Sequence, residues 1–109
     1  MSKKYKDMYN VPWHVRIYVK KELEDYERNK QRFKMLNDGT RELLIIKKRL
    51  DAIESVYNRL DDTDKLTADM IFNKKIKRAG LKERGISQDV YYYTMKKVIY
   101  YAAHELELI

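Results

Sequence analysis

All-α is the fold class that this sequence of 109 residues predicts, and three observations predict it. Glycine and proline are scarce, three and one respectively, too few for the many turns of a sandwich or barrel. Hydrophobic residues make up 44% and charged residues 38%, the mixture of a helical globular chain rather than a disordered one. Leu43, Ile46, Leu50, Ile53, Tyr57 and Leu60 alternate steps of three and four, a heptad seam nearly three repeats long. The length suits one domain, near the lower limit of what a single hydrophobic core stabilises. The expected layout has about five helices, with a helical hairpin over residues 1–60 and a helix-turn-helix module over 61–109.

The first helix is expected to begin at Asn10-Val11-Pro12, with the proline in the first turn, where its missing N–H costs nothing. Val15, Val19, Leu23, Tyr26, Phe33 and Leu36 form its apolar stripe, and Trp13 and Ile17 widen it near the start. Asn37-Asp38-Gly39-Thr40 reads as a helix stop followed by a new N-cap. The heptad helix comes next and packs on the first helix or on its own copy in a second chain, with Ile45 and Val56 adding apolar surface off the seam. Asp61-Asp62-Thr63-Asp64 breaks the pattern and caps a third helix, whose Leu66, Met70 and Ile71 face the core with Phe72 close behind. A short helix over about Lys75–Arg84, a turn at Gly85 and a last helix over about Gln88–Leu106 complete the chain.

That turn is the most informative stretch. A helix-turn-helix needs a residue that tolerates positive φ, then a buried aliphatic residue, then a cap for the second helix. Gly85, Ile86 and Ser87 supply these in order, and the Ser87 hydroxyl can accept from the N–H of Asp89 or Val90. On a helical wheel Tyr91, Met95 (or Thr94), Val98, Ala102 and Leu106 share the face to be buried. Gln88, Asp89, Tyr92, Tyr93, Lys96 and Lys97 project elsewhere.

Charge points the same way. The net charge is +7, and its distribution says more than its sum. Between Asn73 and Tyr101 eight basic residues (Lys74, Lys75, Lys77, Arg78, Lys82, Arg84, Lys96, Lys97) stand against Glu83 and Asp89. Asp61–Phe72 instead holds four acids and one lysine. Basic charge gathered around a candidate turn suits a polyanion, although lysines also simply solvate helical surfaces. In a major groove Gln88 could pair with adenine and Asp89 could accept from cytosine N4. Ser87, Lys96 and Lys97 would meet phosphates, a hydroxyl of Tyr92 or Tyr93 could reach either kind of group, and Lys82 lies in the same basic run. Tyr91, Tyr100 and Tyr101 are better read as core.

Other classes find less support. Cysteine is absent, which excludes disulfides and thiolate metal sites and makes an intracellular location the default. His14 and His104 are far apart, and neither a phosphate-cradling glycine loop nor a metal-ligand spacing occurs, so neither an enzyme nor a cofactor is expected. The run Lys74-Lys75-Ile76-Lys77-Arg78 could also suit RNA or a membrane surface, but no apolar stripe beside it favours docking on lipid. The start, MSKKYKDMYN, is basic without the apolar stretch of a signal peptide, and no apolar run is long enough to span a bilayer. A cytoplasmic location follows as the expectation.

The sequence also resembles a known family, the small phage-encoded RinA/ArpU-type regulators that activate late genes in phages of Gram-positive hosts. Val11-Pro12-Trp13 followed by Glu22-Leu23-Glu24-Asp25-Tyr26 is similar to the family's opening proline-aromatic pair and its EL..Y helix. Arg49–Leu60, RLDAIESVYNRL, is similar to the helix that precedes the family's reader module. Gly85-Ile86-Ser87 with Tyr92 and Ala103-His104-Glu105-Leu106 match GIS....Y and a closing A.EL. The resemblance implies a C-terminal half similar to the helix-turn-helix of sigma-factor region four. It also implies duplex DNA as ligand, host RNA polymerase as a partner, and a homodimer or higher oligomer as an open possibility, inside a bacterial host cell.

Departures from the family pattern are specific. Gly80-Leu81 and Arg84 replace the usual IA..LGIS helix, and Gly80 inside a helix costs about 1 kcal/mol relative to alanine. Gln88, Asp89 and Tyr93 stand where family members carry arginines, which implies weaker base readout. The competing reading is a helical assembly component, such as a small terminase-like subunit, or a protein–protein interaction module. A C-terminal turn motif favours the regulator, because a small terminase usually puts its DNA-binding helices first.

Overall fold

In the computed structural model, described over residues 9–35 and 41–109, the chain is all-α. Six α-helices follow in order among the described residues: α1 Trp13–Glu24, α2 Tyr26–Met35, α3 Arg41–Arg59, α4 Asp62–Ala68, α5 Arg78–Glu83 and α6 Gln88–Glu105. A π-helical turn, Asp69–Asn73, runs directly on from α4.

Pro12 stands at the N-cap of α1, one place before the expected first turn, with ψ of 147° outside the helical range. Val15, Val19 and Leu23 are buried as expected. Trp13 and Ile17 are not part of that stripe; they are 70% and 52% exposed. A two-residue offset rotates a side chain by about 200° around a helix, so positions 13 and 17 oppose 15 and 19. The continuous first helix is also corrected. Asp25, with φ −90° and ψ 2°, interrupts the helix between α1 and α2, although its carbonyl still accepts from the Asn29 N–H at 2.9 Å. Leu36 and the stop-and-cap at Asn37–Thr40 lie outside the described residues.

The heptad seam forms α3. Ile46, Leu50, Ile53 and Leu60 are buried, Leu43 and Tyr57 partly so, and Val56 is fully buried beside them. The hairpin is made by α2 rather than α1: the Tyr26 and Tyr57 rings meet at 6.2 Å and Arg32 pairs with Glu42 at 2.6 Å. α1 packs instead on α6 and the π turn. Val19 and Leu23 of α1, Ile53 and Val56 of α3, Phe72, Leu81 and Val98 belong to one core.

Asp61 caps α4 by accepting the Asp64 N–H at 2.8 Å. Leu66, expected in the core, is 60% exposed; Thr67 and Ala68 face inward. The π turn then carries Met70, Ile71 and Phe72, three consecutive buried side chains, where successive positions of an α-helix point about 100° apart. Lys75 follows at φ +53°, in the left-handed region, so the helix expected from about residue 75 begins only at Arg78. Gly80 is explained by close approach: a Cβ there would sit 2.8 Å from Cγ2 of Ile76.

Candidate nucleic-acid interface

The turn between α5 and α6 is built from local hydrogen bonds. Gly85 N–H donates to Lys82 O and Ile86 N–H to Leu81 O, both at 3.0 Å, the paired bonds of a Schellman helix stop. Gly85 carries φ +82° and a Cβ there would meet nothing within 4 Å, so backbone conformation alone favours glycine. Ile86 packs against the core. Ser87 Oγ accepts the Val90 N–H at 3.2 Å and opens α6. The Arg84 guanidinium folds back to donate to Gly80 O at 2.9 Å.

From this turn α6 runs into the middle of the molecule, touching α1, α3, α4 and α5. Met95, Val98 and Ala102 are buried as the wheel predicts; Thr94 is buried as well, and so are Ile99 and Ala103, which the wheel did not assign. Tyr91 and Leu106 are only half-buried at the core's edge. The flanks of α6 are therefore enclosed, and its first turn is the open end.

The residues singled out from the sequence divide into two groups. Lys82, Ser87, Gln88 and Asp89 lie exposed together at the turn. Tyr92, half-buried at their edge, accepts a hydrogen bond from Arg78 Nη1 at 2.9 Å and ties α5 to α6. Tyr93, Lys96 and Lys97 sit farther along and face other parts of the chain. The Tyr93 ring lies 5.9 Å from Tyr9, which also meets Tyr100 at 5.3 Å and Tyr101 at 5.8 Å. Lys96 lines a shallow pocket with Tyr9, Val11 and Arg16.

Lys97 requires a correction. It was expected to take a phosphate, but its ammonium donates to Asp64 Oδ2 at 2.8 Å, with the two side chains only 17% and 14% exposed. Burial opposes the charge, yet the hydrogen bond and charge of Asp64, aided by Tyr93 and Tyr101, raise Lys97 above the usual lysine range. A lysine so engaged is an internal tie between α4 and α6. Tyr101, expected as a core residue, is half-buried and carries the Arg59 guanidinium 4.1 Å from its ring centre. Burial, then the neighbouring Tyr9, raises its hydroxyl.

Lys75, Lys77 and Arg78, not assigned to the site from the sequence, are exposed. The signal that could have found them is the basic run 74–78 itself, once it is known to lie outside a helix. Among the described residues Lys75, Lys77 and Lys82 have no acidic partner, whereas Lys74 pairs with Asp69 at 3.8 Å. No group of three or more His, Cys, Asp or Glu residues placed to hold a metal occurs among the described residues. None of their helices is long and apolar enough to cross a membrane. No family model, no characterised protein and no solved structure matches the chain.

Proposed function

We propose that the chain binds double-stranded DNA through the α5–turn–α6 unit and acts as a small transcriptional regulator. The observation that carries this reading is the open basic end of the molecule. Lys75, Lys77 and Lys82 are exposed and unpaired among the described residues, and Ser87 caps a helix whose first turn is exposed. Phosphate contacts from these lysines position the protein, and Gln88 and Asp89 are the side chains at the leading edge that reach base edges. Because the rest of α6 is enclosed, readout is confined to about one turn, and phosphate contacts supply most of the affinity. The resemblance to RinA/ArpU-type regulators makes late-gene activation in a phage the role, with RNA polymerase as partner.

A second reading is favoured by one observation. Trp13 and Ile17 on α1, and Leu44 and Ile45 on α3, are exposed apolar side chains, a composition suited to protein contact and to the assembly component considered above. Selection of bound sequences from a random duplex pool separates the two. The regulator yields an enriched motif that Gln88→Ala alters at one or two base pairs. An assembly component yields no motif, and a pool recovered unenriched at low and high salt alike rejects the DNA reading.

A further inference from the structure

Two lysines of the proposed interface, Lys75 and Lys77, also share a cleft with a cation of α1, where α1 meets the segment after the π turn. Lys20 of α1 and Lys75 and Lys77 of that segment line one open cleft of about 160 Å³, with the Tyr91 phenol of α6 at its wall. Ile76 and Met95 contribute apolar lining. The volume is below the ordinary range for organic ligands and suits a small anion with its water. None of the three lysines makes an ion pair among the described residues, so their mutual repulsion is relieved only in part, by the carboxylate that shares the cleft. Glu24 is the single carboxylate lining the cleft.

The backbone adds an independent observation. Lys75 occupies a left-handed conformation, φ +53°, where glycine or asparagine is the unstrained choice. The comparable stop after α5 does use glycine, Gly85 at φ +82°. A lysine held at a position that penalises its Cβ, with its charge at a cleft already holding two others, fits strain kept for binding.

We propose that this cleft is a phosphate-binding site that recruits α1 to the nucleic-acid interface. Assigning the phosphate to a DNA backbone rests on the reading above; the site itself does not. Lys20 then contributes from the half of the chain remote in sequence from the turn, and Glu24 weakens binding.

The test uses the full chain, a labelled duplex at two salt concentrations, and inorganic phosphate followed by NMR at Tyr91 and Met95. Lys20→Ala and Lys77→Ala are each expected to weaken duplex binding several-fold and to lower the salt slope by about one. Glu24→Gln should strengthen it. Lys75→Gly is the discriminating variant: it should melt at a higher temperature yet bind more weakly, a combination that a purely structural lysine would not give. Phosphate shifting the cleft resonances in wild type but not in Lys20→Ala, with duplex affinity unchanged by the lysine variants, would keep the site and assign it to free phosphate. Duplex affinity and resonances both indifferent to Lys20, Lys75 and Lys77 overturn the site, even if Lys82→Ala still weakens duplex binding. A wild-type chain that binds no duplex defeats the DNA reading, and the phosphate arm then decides the cleft alone.

Discussion

Lys82 and Lys97 carry the same ammonium group, fifteen positions apart in one basic stretch, and the fold uses them in different ways. Around the turn the cations are exposed and, at Lys75, Lys77 and Lys82, unpaired among the described residues. Midway along α6, Lys97 is sequestered against Asp64, and Tyr93 joins the aromatic group around Tyr9. The difference shows that basic charge counted along a chain is not charge offered to a ligand. An exposed unpaired lysine that meets a DNA phosphate releases the counterions condensed on it; a half-enclosed pair has already satisfied its charge.

The comparison can be broken most forcefully at Lys97. Lys97→Ala leaves Asp64, 14% exposed, without its cation, and should cost about 1–3 kcal/mol in a denaturant titration. The pH dependence has a definite sign. Because the Lys97 pKa is raised in the fold, its contribution is complete below the unfolded lysine value of about 10.4. It is lost as pH rises through the higher folded value. Wild type should therefore lose stability in strong alkali relative to Lys97→Ala. An equal loss in both proteins would remove the internal tie.

Next in size is the turn. Gly85→Val places a β-branched residue at φ +82° and should destabilise by about 1–3 kcal/mol. It should also weaken duplex binding, since the stop that presents α6 is disturbed. Gly80→Ala is smaller. Helix propensity favours alanine by about 1 kcal/mol, but the new methyl would meet Ile76 Cγ2 at 2.8 Å, and overpacking costs about 1–3 kcal/mol. A net loss of about 1 kcal/mol in thermal unfolding is expected, and a gain would show that Ile76 yields freely.

How far the sequence discloses these differences depends on whether their causes are local. The α3 seam is readable because one face of a long helix repeats in register, and Gly85-Ile86-Ser87 because stop, anchor and cap are neighbours in the chain. The Asp61 cap is readable for the same reason. Lys97 is not, because its partner lies 33 residues away on a helix whose docking angle no periodicity encodes. The π turn goes with burying Met70, Ile71 and Phe72 together, a demand of the assembled core. Trp13 and Ile17 mislead because apolar character does not say which of two opposite faces finds a neighbour. At the candidate site the turn residues are legible and the non-helical setting of Lys75 and Lys77 is not, since the sequence predicts a helix through the basic cluster.

The smallest effect on stability carries the most direct test. Lys82→Ala should unfold within about 0.5 kcal/mol of wild type, as an exposed substitution does. Its duplex affinity, measured by anisotropy at two salt concentrations beside Lys97→Ala under conditions where both are fully folded, should fall several-fold with a salt slope lower by about one. Lys97→Ala should keep the wild-type slope. The reverse result, a reduced slope for Lys97→Ala and an unchanged one for Lys82→Ala, would contradict the division of the molecule into an enclosed cation and an offered one.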